Sequence, residues 1–209
     1  MVMKIPFEGV VKSVQPRIRL TRSFDQRSHS YLGYLIRILG FVGDQKAEFL
    51  LGIGKAAQAK HGLQMGYTIS GECEPVGKAK IDPVEYYRVA KLNVTRNLPR
   101  DIIEPPPWLG NPPKLEVYRQ RGHQRLNAKT YKAKCYPCIW GCRMAVEMIV
   151  DHWNPQKKRF RFETFCYGPK SCPFYKAGPT RKVPGRHGMT WEEEDWVDEE
   201  AISHRGPDD

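Results

Sequence analysis

Five of the six cysteines of this 209-residue chain lie in one stretch of its second half. Cys135 and Cys138 are separated by two residues, and Cys166 and Cys172 by five. Two turns that each present a pair of thiolates are typical of a closed tetrahedral metal site, with metal–sulfur distances of about 2.3 Å. The spacing therefore predicts that Cys135, Cys138, Cys166 and Cys172 bind a structural zinc ion.

Cys142 keeps a second metal assignment open, because it extends the first pair to Cys-x2-Cys-x3-Cys. Three such thiols and one more would suit a 4Fe-4S cluster, and Cys172-Pro173 matches the Cys-Pro that ends many iron–sulfur motifs. Buried free thiols and a disulfide-linked hairpin are the remaining alternatives. Disulfides are disfavoured, since residues 1–6 begin no signal segment and the chain is expected in the reducing cytoplasm.

The elements between the two pairs read as a β-hairpin. Residues 142–153 alternate as one strand, residues 154–158 form a turn, and Arg159–Phe165 returns as a second strand. Its alternation predicts that Phe160 and Phe162 face the core and that the arginines face outward. A knuckle, a hairpin and a second knuckle over residues 135–172 resemble a zinc ribbon, which implies a small metal-stabilised β-hairpin domain.

The first half reads as a small β-barrel. Five β-rich segments surround one alanine-rich helical segment, and three strands, a helix and two strands is the element order of the OB-fold. The resemblance implies a five-stranded barrel whose open face binds single-stranded nucleic acid. The predicted strands cover residues 7–20, 30–42, 48–53, 67–75 and 85–93, and the helix covers residues 55–61.

These segments define a mainly β protein in four parts. Residues 1–97 are the OB-like barrel, and residues 98–113 are a proline-rich linker or a strap lying along it. Residues 114–190 are the basic cysteine-rich metal-binding domain, and residues 191–209 are an acidic tail. No apolar run is long enough to cross a bilayer.

The charge is unevenly distributed. The formal net charge is +11, but residues 192–209 hold nine acidic residues and one arginine, so the rest holds 33 basic and 14 acidic residues. Such a body favours a polyanionic partner. We expect the tail to fold back over part of this basic surface, anchored by Trp191 and Trp196, or to dock on a partner; a disordered solubilising tail is the alternative.

Cations and aromatic rings that occur together are typical of surfaces that bind single strands, because cations follow phosphates and rings stack on bases. In the barrel they lie at the end of the first strand and on the second, and in the second half they lie on the returning strand and in the glycine- and proline-rich arm. The predicted contacts are Arg17, Arg19, Tyr34, Arg37, Arg159, Arg161, Arg181, Lys182 and Arg186.

No catalytic motif accompanies these features. The nucleophile elbow, the metalloprotease helix motif, the phosphate-binding loop and the dinucleotide fingerprint are missing, and four thiolates leave no open metal position for water. Cys73 and His152 are read as packing residues, although His152 could replace one thiolate. The sequence predicts a non-enzymatic protein that binds RNA or single-stranded DNA as an accessory subunit of a larger assembly. A protein-interaction adaptor and an iron–sulfur protein supporting a nucleic-acid enzyme are the alternatives.

Overall fold

The computed structural model describes residues 4–22, 27–77, 81–96, 107–149, 153–154, 156–184, 186–193 and 196–209. The protein is mainly β, as predicted. Its strands are β1 Ile5–Arg22, β2 Arg27–Val42, β3 Gln45–Ile53, β4 Thr68–Pro75, β5 Tyr86–Thr95, β6 Gln124–Arg125, β7 Gly141–Ile149, β8 Lys158–Cys166, β9 Arg181–Pro184 and β10 Thr190–Glu193. Its helices are α1 Lys55–His61, α2 Leu115–Arg121, α3 Ala128–Thr130 and α4 Trp196–Ile202, and a π-helical turn, Tyr131–Cys135, follows α3.

The first five strands pair in a ring. β1 pairs antiparallel with β2 and β4, β2 with β3, and β4 with β5, and the ring is completed by one parallel pair between Leu51 of β3 and Tyr86 of β5. The predicted strands and the helix of this part are confirmed. α1 contains three alanines and ends at Gly62, whose left-handed conformation (φ 57°) lets its N–H donate to the Gln58 carbonyl at 2.8 Å.

The second half continues the same sheet. β7 pairs in parallel with the end of β1, from Arg19 opposite Ala145 to Arg22 opposite Met148, and β8 and β6 extend the sheet beyond it. Side chains of β7 and β8 belong to the same buried cluster as those of the first five strands. The sheet and the buried core both run across the predicted boundary at residues 98–113. That the two halves are separate folding units stays a prediction.

The predicted hairpin of β7 and β8 is present, but its faces are reversed. Arg161 lies opposite Val146, which is fully buried, whereas Phe160 and Phe162 lie on the other face of the sheet. The prediction that these two phenyl rings face the core is wrong. Phe165 is the β8 ring in the core, and side chains alternate, so the odd-numbered residues share its face.

Residues 107–113, the end of the predicted linker or strap, are bonded to both halves; residues 98–106 lie outside the described residues. Tyr34 of β2 donates its hydroxyl to the Pro113 carbonyl at 2.8 Å, and Ile139 donates its N–H to the Trp108 carbonyl at 2.8 Å. The Trp108 side chain itself is exposed.

The acidic tail folds back on the chain, as one of the two tail hypotheses predicted. The buried Arg125 Nε lies 2.5 Å from Oδ2 of Asp198 in α4, and Lys182 Nζ lies 3.2 Å from Glu192 Oε1. Trp196 is exposed, and the side chain of Trp191 lies outside the described part. Among the described residues, no helix combines the length and the apolar character that a bilayer span requires.

Gly9 of β1 and Gly40 of β2 lie opposite each other. A Cβ on Gly40 would lie 2.1 Å from the Glu8 carbonyl oxygen and 2.4 Å from the Gly9 Cα, both of which are backbone atoms. We expect Gly40→Ala to lower the free energy of unfolding by about 1–3 kcal/mol or more, because the backbone must shift. Urea denaturation measures this loss.

Gly54→Ala is the matched control. Gly54 has φ −78°, and a Cβ there would meet no heavy atom within 4 Å. Equal stability of the two variants would contradict the close packing of β1 on β2.

Candidate metal centre and basic surface

The first cysteine pair lies in a tight turn between the π-helical turn and β7. The Cys138 N–H donates to the Cys135 carbonyl at 3.1 Å, and the Gly141 N–H donates to the Cys138 carbonyl at 3.1 Å. Two successive turns of this kind curl the backbone around the side chains. Cys135 is buried in a small cluster with Leu126, Tyr131 and Cys166, and the half-buried Cys138 packs against this cluster.

The second pair begins where β8 ends. Cys166 lies opposite Gly141 of β7, so the strand register brings it beside the first turn. The Gly168 N–H donates to Cys166 Sγ at 3.3 Å, which is a donor that favours a thiolate. The Cys172 N–H donates to the Pro169 carbonyl at 3.2 Å and closes a turn at the second cysteine.

The four predicted ligands lie close enough to influence one another. Burial, followed by the neighbouring thiols of Cys166 and Cys172, raises the pKa of Cys135 to about 11. Burial likewise raises the pKa of Cys138 to about 12, against backbone N–H groups that lower it. Burial also raises the pKa of Cys166, while the Gly168 N–H acts in the opposite direction. Cys135 and Cys166 share one buried cluster, with Cys138 packed against it.

The donor set fits a closed tetrathiolate site. No three His, Cys, Asp or Glu side chains within the described ranges already stand in a ligating arrangement. Four soft thiols in two turns, with N–H groups directed at sulfur, are nevertheless the chemistry of a structural zinc site. Such a site has no open position for a substrate.

Cys142 and Cys73 lie elsewhere. Cys142 occupies β7 opposite Phe165, on the face of the sheet away from Cys166, and its thiol donates to the Pro16 carbonyl at 3.3 Å. This placement favours the ligand set without Cys142. Cys73 is fully buried in the main core, and burial raises the pKa of its thiol to about 11. His152, the other alternative ligand, lies outside the described residues.

A buried glutamine of β1 holds the turn that contains Cys135 and Cys138, which we call the first thiol turn. Gln15 Nε2 donates to the carbonyls of Cys135, Tyr136 and Cys138 at 3.0, 3.2 and 2.8 Å. Its Oε1 accepts from the Tyr131 hydroxyl at 2.6 Å. Gln15 is 1% exposed, so its contacts form away from water, where an unpaired amide is costly. The sequence analysis missed this residue, whose only signal is a polar side chain between the apolar residues of β1.

Arg37, a predicted nucleic-acid contact, fastens the same turn to the first sheet. Its guanidinium carbon lies 3.7 Å from the centre of the Tyr136 ring, and its Nη1 donates to Glu48 Oε1 at 3.0 Å. The Tyr136 hydroxyl donates to Glu48 Oε2 at 2.5 Å. The three side chains therefore form a closed contact over the outer face of β2 and β3.

Four more predicted contacts are paired with carboxylates. Arg17 forms an ion pair with Asp82, and Lys182 pairs with Glu192. The remaining pairs share one acceptor. Arg161 Nε lies 2.5 Å and Arg181 Nε 2.7 Å from the two oxygens of Glu163.

The last four predicted contacts differ in exposure. Tyr34 is buried, so its ring offers no stacking face, and Arg19 is half-buried. Arg159 is exposed, and the side chain of Arg186 lies outside the described residues. The structure therefore leaves few of the predicted cations available to phosphates.

Lysines without an ion pair among the described residues lie beside the first thiol turn. We call this area the lysine surface, and it consists of Lys129, Lys132, Lys134, Lys176 and the ring of Phe174. The four lysines are exposed, and none forms an ion pair with a described residue. Lys134 Nζ lies 5.8 Å from the centre of the Phe174 ring, which is 47% exposed. The three lysines around Tyr131, before Cys135, were the available sequence signal.

α3 and the π-helical turn present three of these lysines. Asn127 caps α3, because its Oδ1 accepts from the backbone N–H groups of Lys129 and Thr130 at 2.9 and 3.3 Å. The helical turns that follow end at Cys135, so the thiol turn and the lysine surface share one short segment.

The first five strands carry a second basic surface. A groove of about 550 Å³ between α1 and β5 is lined by Arg17, Lys60, His61 and Arg88, with Tyr87 on its wall. Arg88 pairs with Glu74 at 3.1 Å and adopts the left-handed conformation (φ 51°) at a bulge of β5.

Comparison of the chain with protein-family models, curated proteins and solved structures finds no match.

Gln15 generates a prediction about the thiol turn. We expect Gln15→Leu to lower the free energy of unfolding by about 1–3 kcal/mol. The Tyr136 carbonyl and the Tyr131 hydroxyl lose the amide, whereas the Cys135 and Cys138 carbonyls keep their backbone N–H donors. Alkylation of Cys135 and Cys138 under native conditions should become faster, as read by mass spectrometry. Gln120→Leu, at an exposed position of α2, is the control. Unchanged alkylation in Gln15→Leu would show that the turn holds without it.

Proposed function

We propose that this protein binds RNA or single-stranded DNA as an accessory, non-enzymatic subunit of a larger nucleoprotein assembly in the cytoplasm. The observation that carries the proposal is the lysine surface. Exposed ammonium groups that no carboxylate of the described residues neutralises can neutralise phosphates, and the exposed Phe174 ring, 5.8 Å from Lys134 Nζ, can stack on a base.

The connectivity of the first five strands supports an OB-like barrel within the proposal. The pairing ring β1-β2-β3-β5-β4, with α1 between β3 and β4, is the arrangement expected of that five-stranded barrel. OB-folds bind nucleic acid through β2, β3 and the loops at the barrel rim. Here the contact of Arg37, Tyr136 and Glu48 occupies the outer face of β2 and β3. We therefore propose that the nucleic acid binds along the lysine surface and makes a second contact in the groove between α1 and β5.

We further propose a zinc ion held by Cys135, Cys138, Cys166 and Cys172. A metal at this place stabilises the turn that ends the lysine-bearing helical segment, so its role is structural. The cytoplasm keeps such thiols reduced. Binding of zinc requires the thiolates and therefore releases protons.

The metal proposal predicts the zinc content of variants. Elemental analysis of purified protein should find one zinc per chain, and Cys135→Ser and Cys166→Ser should lose both the zinc and a large part of the stability. Closed zinc sites in small peptides contribute about 10 kcal/mol. Cys142→Ser is the matched control, because its hydroxyl can still donate to the Pro16 carbonyl. Retention of zinc by Cys135→Ser, or a brown iron–sulfur chromophore, would contradict the assignment.

The nucleic-acid proposal predicts a change in salt dependence. Each phosphate contact to a single strand contributes a log–log slope of about −0.7. We expect Lys132→Ala with Lys134→Ala to make the slope shallower by about 1.4 for labelled oligo(U) or oligo(dT), measured by fluorescence anisotropy. Phe174→Ala should weaken binding by about 1–3 kcal/mol at every salt concentration, because stacking releases no counterions.

The control for this experiment is Lys12→Ala with Lys46→Ala, which removes the same charge from exposed positions on β1 and β3. Equal slopes for the two double variants would show that the lysine surface is not the binding site. Absence of binding by the parent protein at low salt would overturn the proposal itself.

A further inference from the structure

Two guanidinium groups meet directly beside the second thiol pair. Arg121 Nε of α2 donates to the Tyr167 carbonyl at 2.7 Å, and Arg205 Nη1 donates to the same carbonyl at 3.3 Å. Arg205 Nη1 also donates to the Gly168 carbonyl at 2.9 Å. Tyr167 and Gly168 directly follow Cys166, so both arginines surround the backbone of a predicted ligand.

This placement is costly unless a negative centre lies nearby. Arg205 is 6% exposed, and its Nε and Nη2 atoms are buried without a hydrogen-bond partner among the described residues. Arg121 is half-buried, and its guanidinium carbon lies 4.6 Å from the centre of the Trp140 ring. A buried cation such as Arg205 beside a second cation requires compensation, since a buried charge without a partner loses several kcal/mol of hydration. Asp209 is the nearby carboxylate, and its backbone carbonyl accepts from Arg205 Nη1 at 3.3 Å. One carboxylate offsets only one of the two positive charges.

A tetrathiolate metal centre supplies the missing charge. Four thiolates and one Zn²⁺ carry a net charge of −2, and this charge lies in a cluster from which water is largely excluded. Both guanidinium groups bind carbonyls of the residues that directly follow Cys166, and the Gly168 N–H donates to the Cys166 sulfur. Second-shell groups of this kind hold the ligands and tune the metal.

We propose that Arg121 and Arg205 are positioning residues that balance the charge of a zinc centre at Cys135, Cys138, Cys166 and Cys172. This inference rests on the zinc site of the proposed function and adds what holds it. Arg205 acts from the segment Ser203–Asp209, so metal binding and docking of that segment are coupled.

The loop between Cys166 and Cys172 shows how the segment docks. Lys170 Nζ donates to the Arg205 carbonyl at 2.6 Å. The Ser171 N–H donates to the Pro207 carbonyl at 2.9 Å, and the Ser171 hydroxyl donates to Asp208 Oδ1 at 2.9 Å. The five residues between these cysteines, more than a tight knuckle needs, therefore serve as the attachment site of Ser203–Asp209.

Coupling of two binding events is reciprocal. If docking of Ser203–Asp209 raises the affinity for zinc by some factor, zinc raises the stability of docking by the same factor. The contacts that hold the acidic tail then include two separate ones, the Arg125–Asp198 ion pair as the first device and the loop that contains Cys172 as the second. Removal of the metal releases the second device and leaves the first.

The test measures zinc affinity of the full chain by competition with a chromophoric chelator. Arg205→Gln removes the charge and keeps donors, and we expect it to bind Zn²⁺ about 10–100-fold more weakly, the usual effect of losing a second-shell partner. Arg205→Lys keeps the charge and should recover most of the affinity. Arg119→Gln is the matched control, because this arginine of α2 lies over the Tyr31 ring, 4.9 Å from its centre, instead of on the thiol loop.

Two further readouts separate charge balance from loss of folding. The circular dichroism of each zinc-loaded variant should match that of the parent protein. Hydrogen exchange of residues 203–209 in the parent should become faster when a chelator removes zinc, whereas exchange in β1 to β5 should change less.

Each outcome decides the inference. Parental zinc affinity in Arg205→Gln, or equal losses in Arg205→Gln and Arg119→Gln, would overturn it. A parent protein without zinc at these thiols would overturn both the inference and the proposed metal site. Loss of zinc affinity in Arg205→Gln together with no oligonucleotide binding by the parent would support the inference and overturn only the nucleic-acid proposal.

Discussion

The structure depends on one long strand that pairs with three others. β1 is paired with β2 along its length, with β4 at its start and with β7 at its end, so it joins the first five strands to β7 and β8 in one sheet. Its central residue, Gln15, is buried and bonded to three carbonyls of the first thiol turn. An unpaired amide at this depth would cost more than most single contacts contribute, so the strand and the turn specify each other. The cysteine-rich part is therefore fastened to the centre of the first five strands.

Several of the cations predicted to contact nucleic acid are paired with carboxylates inside the chain. Glu163 forms ion pairs with two arginines, Asp198 pairs with a buried arginine, and Glu48 pairs with Arg37. Partly buried pairs of this kind orient side chains, whereas a net charge computed from composition treats every cation as available. Among the described residues, the lysines that remain unpaired include three that lie close together where α3 leads to Cys135. This grouping makes the proposed polyanion-binding surface accessible to mutation separately from the rest of the chain.

Fold elements were the more predictable part. Alternating β-branched and aromatic residues placed β1 to β5 within a few residues, and the alanines and Gly62 placed α1. These signals are local, because a strand or helix needs only its own periodicity and end residues. The two-residue spacing of Cys135 and Cys138 likewise predicted a turn that the structure contains. The faces of β8 were predicted wrongly, since period-two alternation does not say which face a core covers.

The sequence by itself determined the mainly β class, the order of the elements and the grouping of the cysteines. Tertiary structure alone decided that β7 joins β1, that Cys142 faces away from Cys166, and which cations keep a free charge. It also decided that Arg205 reaches the loop after Cys166, across 39 residues of chain. The physical reason is the same in each case. Strand pairing, burial and ion pairs join residues that are distant in sequence, and their energies depend on geometry that no local pattern records.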